Sequence, residues 1–296
     1  MPPIFDVVSA PPILPATVGL LPTLGQRVQT GSGRWEGGYA FEPNGCLSGG
    51  VQGSACDADT AKTIDDFADP VRHVPNFAWV GGRCTSLGGI PRAEIGPRVR
   101  ASLEASQGPK IERELWRGDN ATGDSAANLF LAGGSPNFED LTPGAGTSPG
   151  GYALAALQMF LAQCAEGGRG MIHATRATVD IWLREYLVEI QSGGTLITDA
   201  FGNWIVAGAG YDGSDPDGDV DASGETAYAY ATGLVDVKLG DIVLLPSLDA
   251  IEEAVSRTDN RVQWIAERVF GATWDGCCHA GVRVGLCETC CDPAGS

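Results

Sequence analysis

The residues SPGGYALAALQMFLAQCAEGG (Ser148–Gly168), followed by MIHATRATVDIWLREYLVEIQSGGTLITDAFGNWIVAG (Met171–Gly208), decide how this chain is read. Ser148-Pro149 is a helix start: a capping hydroxyl, then a proline whose missing donor costs nothing in the first turn. Leu154, Leu157, Leu161 and Cys164 recur at three, four and three residues, which is one packed helix face, and Gly167-Gly168 closes it. A short strand follows from Met171. The spacing then predicts a second helix from about Thr175 to Ile190, with Val179, Trp182, Leu183, Tyr186 and Ile190 on its buried side. Gly193-Gly194 stops that helix and leads into another strand.

Downstream, Ala227–Leu286 is rich in Val, Ile, Tyr, Trp and Thr and reads as a run of antiparallel strands. Upstream, Pro91–Gly118 reads as a helix whose apolar stripe is Val99, Leu103, Ile111 and Leu115. Gly108-Pro109 interrupts it. Proline lacks the donor and crowds the preceding turn, so a kink or break is expected there. Asn120–Gly151 is a Gly/Pro/Ser-rich linker with one apolar patch, Asn128–Ala132. Arg34–Gly45 and Val74–Cys84 read as strands flanking a long hairpin-like excursion. Residues 1–33, and about 45–73, mix apolar residues with Gly and Pro. Neither can bury a face alone, and both are expected to lie along neighbouring subunits. No internal repeat is present.

The chain has 296 residues, of which 43% are hydrophobic, enough for a packed core. Its 37 carboxylates against 19 basic groups leave a net charge of −18. That charge argues against a surface that grips DNA by neutralising phosphates. No apolar run reaches the roughly 18 to 20 residues a membrane helix needs. The first residues lack the basic stretch of a signal peptide and are broken by prolines, so an intracellular product is expected.

Nine cysteines are present, an odd number that argues against a simple intramolecular disulfide framework. Cys277, Cys278 and His279 fall on a predicted strand, with Cys287, Cys290 and Cys291 just beyond. Inert buried or tail thiols, inter-subunit disulfides formed after release from the cell, and a zinc site all remain open readings, in that order. Adjacent strand residues point to opposite faces, which weakens joint ligation by Cys277 and Cys278 and a Cys278–His279 nucleophile. His73 and His173 have no partner that sequence can identify. Asp212–Glu225, DGSDPDGDVDASGE, alternates carboxylates but lacks the glycine and terminal glutamate of a calcium loop, and reads as a solvated acidic loop. Arg117–Asp119 reads as a charged turn. AGAGYDG (Ala207–Gly213) lacks the glycine spacing of a dinucleotide site. No catalytic, cofactor-binding or metal residue is expected, and no cofactor. The rival, a cytosolic thiol or metal enzyme, would need a converging polar site.

PRVRASLEASQGPKIERELWRG (Pro97–Gly118), then Ala153–Glu185, GGTLITDAFGNWIVAG (Gly193–Gly208), YAYATGLVDVKL (Tyr228–Leu239) and Asn260–Leu286 form an order that resembles the tailed-bacteriophage major capsid proteins. The related encapsulins share the same Hong Kong 97-type fold. The resemblance covers about residues 34–286. It implies an α+β fold divided into an N-terminal arm (1–33), an extended loop region (34–90), and a spine helix with a peripheral-domain segment (91–151). An axial domain with flanking helices (152–245), closing peripheral strands (246–286) and a Cys-rich tail (287–296) would follow. It further implies a structural virion protein, assembled in the host cytoplasm into hexamers and pentamers of one icosahedral shell. The shell would enclose DNA without reading its sequence, bind no membrane, and leave scaffold, portal and decoration to separate proteins. An encapsulin-like compartment is the alternative. The acidic loop would then sit in the apical domain.

Overall fold

The computed structural model describes residues 14–42, 69–84, 92–133, 137–144, 146–164, 168–191, 193–247, 255–256 and 261–286. The chain enters through α1 (Leu20–Leu24) and β1 (Gln29–Thr30), then the paired β2 (Tyr39–Phe41) and β3 (Val71–His73), then β4 (Asn76–Cys84). The long α2 (Arg92–Arg117) precedes β5 (Glu139–Asp140), α3 (Gly150–Cys164), β6 (Met171–Thr175) and α4 (Arg176–Arg184). Strands complete the chain: β7 (Val188–Ile190), β8 (Ile197–Asp199), β9 (Trp204–Gly208), β10 (Thr226–Thr232) and β11 (Asp236–Leu239). The last are β12 (Val243–Leu245), β13 (Val255–Ser256), β14 (Arg261–Thr273) and β15 (His279–Gly285).

Two sheets organise these elements. The first has the order β1-β11-β14-β12, with β4 and β13 also paired to β14. The second has the order β5-β15-β10-β6-β9-β8-β7. The pairing divides the strands differently from the segments read in the sequence. β11 and β12, placed in 152–245, join β14, whereas β15, placed with β14 in 246–286, joins β10. Hydrogen-bond partnership between distant strands makes that division, and strand composition does not encode it.

α3 follows its period: Leu154, Leu157 and Leu161 are buried against Ile172, Ala174, Ala229, Ala231, Val282 and Val284 of the second sheet. The opposite face of that sheet presents Met171, Val206, Tyr228 and Tyr230 to α2 and the first sheet. The second sheet is therefore covered on both sides.

Three expectations are corrected. α2 is continuous through Pro97 and Pro109. An interior proline costs about 3 kcal/mol, but Leu103 and Ile111 on either side of Pro109, and Leu115 beyond, are all buried on one stripe. Each contributes about 1.5–3 kcal/mol, which outweighs the defect. The second predicted helix is shorter than its apolar pattern. The Thr175 hydroxyl caps α4 by accepting from the Thr178 N–H at 3.2 Å, and the helix ends at Arg184. Tyr186 turns the chain with φ 58°, and Val188–Ile190 pairs with β8 instead. Tyr186 and Ile190, expected on the buried side, are exposed. Finally, the N-terminal segment is not wholly an outlying arm. Leu20 and Leu24 are buried in this subunit's own core, and β1 runs parallel to β11. Residues 1–13 and 43–68 of the arm and excursion lie outside the described residues.

Candidate assembly surface

The junction between the two sheets is built from polar groups as well as apolar ones. Glu112 of α2 is buried, and its carboxylate accepts the Leu20 N–H at 2.8 Å and the Gly210 N–H at 2.9 Å. One side chain thus fastens the N-terminal segment, the long helix and the loop after β9. Burial pushes the Glu112 carboxyl up from its ordinary value, and the Gly210 and Leu20 donors pull it partly back. Gly210 lies so close to the helix that a Cβ there would collide with the Pro109 carbonyl. Beside it, the Trp116 indole N–H donates to Ser214 Oγ at 2.9 Å, and the Tyr230 hydroxyl donates to the Ser214 carbonyl at 2.9 Å. Trp116 also packs on Tyr211 and Tyr230 with ring centroids 4.7 and 4.9 Å apart. The two sheets are thereby held at one fixed attitude.

The outer face of the first sheet is different. Along β4, Ala78 is buried beneath α2 while Phe77 and Trp79 point away, each 60% exposed. The register sets Phe77 opposite Val269, Trp79 opposite Glu267, and Gly81 opposite Ile265. Val243 and Leu245 of β12 flank Glu267 and Ile265 on the other side. Phe77, Trp79, Val243, Leu245 and Ile265 consequently form an exposed apolar face on one side of one sheet. A second apolar surface lies on α3, which carries no charged residue. Tyr152 and Met159 point outward, and Met159, Ala155, Ala162 and Phe201 line a groove of about 510 Å³. Contiguous exposed apolar surface marks a place for a partner. In a chain of net charge −18, the sheet face carries the single carboxylate Glu267 among these apolar side chains, and α3 carries none.

Among the described residues, those singled out in the sequence do not converge. His173 is fully buried: its Nδ1 lies 2.9 Å from the Tyr211 hydroxyl and its Nε2 3.0 Å from Thr232 Oγ1. The Thr232 hydroxyl donates to the Gly233 carbonyl at 2.7 Å. It must therefore accept from Nε2–H, which assigns the tautomer and leaves Nδ1 to accept from Tyr211. Burial, with His279 nearby, pushes His173 down to about 3. His279 lies on β15 and donates from Nε2 to the Leu131 carbonyl at 2.9 Å, and burial pushes it down to about 4. His73 is buried between Tyr39 and Phe41, with Nε2 3.3 Å from Thr273 Oγ1.

Cys277 and Cys278 lie in the turn before β15 and not on the strand. Cys278 is disulfide-bonded to Cys164, and Cys277 is disulfide-bonded as well, so the reading of inert thiols is corrected at both. A disulfide sulfur is no nucleophile. Cys287, Cys290 and Cys291 lie outside the described residues. The acidic loop packs against the end of α2: Arg117 pairs with Asp212 at 3.2 Å and donates to the Gly218 carbonyl at 3.3 Å. Its aspartates mostly accept backbone N–H groups of the loop itself. Among the described residues, no three His, Cys, Asp or Glu side chains gather in a metal-holding group. Glu112 and the Phe77/Trp79 face were missed in the sequence. The alternation in FAWVGGR carried a signal for the second, and nothing local marked the first.

No protein-family model matches the sequence, and no curated protein matches it. Solved structures do. One from Mycobacterium phage Ogopogo superposes with a TM-score of 0.51 at 13% identity, over 95% of this chain and 97% of that chain. One from Gordonia phage Cozz gives 0.50 at 12%, over 89% and 86%. The capsid of the empty GTA particle, computed with C5 symmetry, gives 0.50 at 12%, over 96% and 95%. At such identities the agreement is one of fold, end to end and in both directions. This chain, with its long helix on one sheet and a second sheet clad by two shorter helices, has the Hong Kong 97-type capsid fold.

Proposed function

We propose that this chain is a major capsid subunit that assembles into an icosahedral shell enclosing a phage genome. The observation that carries the reading is the end-to-end likeness to the GTA capsid, covering 96% of this chain and 95% of that one. The exposed face of Phe77, Trp79, Val243, Leu245 and Ile265 supports it, as does the uncharged outer side of α3. Phe77 and Trp79 are each 60% exposed, so burying the remainder of one such aromatic side chain between copies contributes about 2–4 kcal/mol at roughly 25 cal/mol/Å² before ordering costs. Repeated around a ring of identical heterologous contacts, such burial closes pentamers and hexamers.

In this reading the arm (1–33) and the loop region (34–90) extend the contact onto neighbouring subunits, beyond what each subunit folds upon itself. The acidic chain encloses DNA without gripping it. Scaffold, portal and decoration are separate proteins, and assembly takes place in the host cytoplasm. The role is structural and not catalytic. Negative-stain microscopy with light scattering on the purified protein tests this. Closed shells of megadalton mass are expected, and a monodisperse monomer or dimer at all concentrations would overturn it. Shells filled with a protein cargo and no nuclease-protected DNA would move the assignment to an encapsulin-like compartment.

A further inference from the structure

The disulfide between Cys164 and Cys278 occupies a particular place. Cys164 is the last residue of α3, and Cys278 is the residue before β15. Their Cα atoms are 5.6 Å apart, across 114 residues of chain. At the other end of the same two elements, the Ser148 N–H donates to the Arg283 carbonyl and the Gly285 N–H to the Ser148 carbonyl, both at 2.9 Å. Helix and strand therefore run antiparallel. Their lengths agree: α3 has 15 residues, about 22 Å at ~1.5 Å each. From Cys278 to Gly285 is about 23 Å at ~3.3 Å per residue. Backbone hydrogen bonds clamp one end of the pair, and the disulfide clamps the other.

The residues between the clamps pack without it. Leu154, Leu157 and Leu161 meet Val282 and Val284 in one core. Cys278, in the turn just before β15, reaches the helix side of the strand, where it meets Cys164. Cys278 is only 7% exposed, whereas Cys164 is partly exposed at the helix end.

We propose that Cys164 and Cys278 form an oxidation bolt. They are thiols while the subunit folds and assembles, and become a disulfide when the particle meets an oxidising medium. The timing rests on the shell reading above; the site does not. Glutathione disulfide, or another small disulfide, is the oxidant. The accessible Cys164 thiolate attacks one of its sulfurs, forming a mixed disulfide and releasing one glutathione, which takes up the proton Cys164 has lost. The buried Cys278 thiolate then attacks the Cys164 sulfur, and the second glutathione leaves and takes up the proton from Cys278. Two protein thiols are oxidised and one glutathione disulfide is reduced. The product closes a long loop and stops α3 from opening away from β15, which raises resistance to unfolding and not the extent of folding.

The test begins with cells lysed in N-ethylmaleimide, which caps free thiols. Peptide mapping should find Cys164 and Cys278 both capped. Uncapped particles exposed to glutathione disulfide should yield the Cys164–Cys278 peptide, and their melting midpoint should rise by about 5–10 °C, reversibly with dithiothreitol. Cys164→Ser should assemble as well as the parent and lose most of the oxidation-dependent rise, any remainder coming from the separate disulfide of Cys277. The proposal is overturned if the peptide never forms on oxidation, or if it is already present in the capped lysate. A parent-sized rise in Cys164→Ser would overturn it too. If no shells form, the same mapping and melting are run on the folded subunit, so failure of the shell reading does not hide the outcome.

Discussion

The two sheets are built from similar strands but end differently. The second is covered on both faces, by α3 and α4 on one side and by the Trp116–Tyr211–Tyr230 cluster on the other. The first is covered by α2 on one face and, among the described residues, left bare on the other, with Phe77 and Trp79 in the open. One half of the molecule thus completes its core within the subunit. The other half carries apolar surface that the described residues leave open; in the proposed shell a second copy would cover it, which would couple assembly to stability.

Acid should break the comparison most strongly, because His173 and His279 both belong to the second sheet. Their folded values of about 3 and about 4 lie below the unfolded value of about 6.5. The folded state holds them neutral, so stability is full above pH 6.5. It falls as pH drops, because the unfolded chain takes up protons first. The loss should reach the order of 5 kcal/mol by pH 4. Tryptophan fluorescence and circular dichroism during an acid titration check this. A second sheet that outlasts the first would show the histidines to be solvated.

Leu157→Ala should cost the unassembled subunit about 2–5 kcal/mol, since the leucine is fully buried between α3 and the second sheet. Chemical denaturation measures it, and an unchanged midpoint would remove α3 from the core. Gly82→Ala should cost about 1–3 kcal/mol, because a Cβ there would meet the Val99 methyl of α2 at 2.5 Å. The smallest effect on the subunit is the sharpest test of the bare face. Trp79→Ser should change subunit stability by no more than about 0.5 kcal/mol, yet lower the yield of shells at least tenfold. A large loss of subunit stability with normal shells would reverse the roles of the two sheets.

Much of this was legible from periodicity. The three-four spacing of Leu154, Leu157 and Leu161 located α3 and its buried face, and the stripe from Val99 to Leu115 located α2. Local rules misled where tertiary packing overrode them. Pro109 does not break the helix, because buried residues on both sides hold it to one sheet. The apolar spacing through Tyr186 and Ile190 fits a helix, yet β8 offered Val188–Ile190 a ladder of hydrogen bonds. The likeness to capsid subunits lay in the order of elements, which the sequence displays even where residue identity has faded.

What the sequence alone determined was therefore the order of the elements, the kind of most of them, most of their buried faces, and the net charge of −18. These depend on residues a few positions apart, or on sums over the chain. Only the tertiary structure decided which strands share a sheet. It also decided that Glu112 joins Leu20 to Gly210 and that Cys164 reaches Cys278. It left Phe77 and Trp79 uncovered. The strand pairings and contacts join groups distant along the chain, 92 residues apart for Glu112 and Leu20 and 114 for the disulfide, and the open face is one that no segment of the described chain comes to cover. No local pattern records such meetings, because chain topology, and not neighbouring residues, sets the distance.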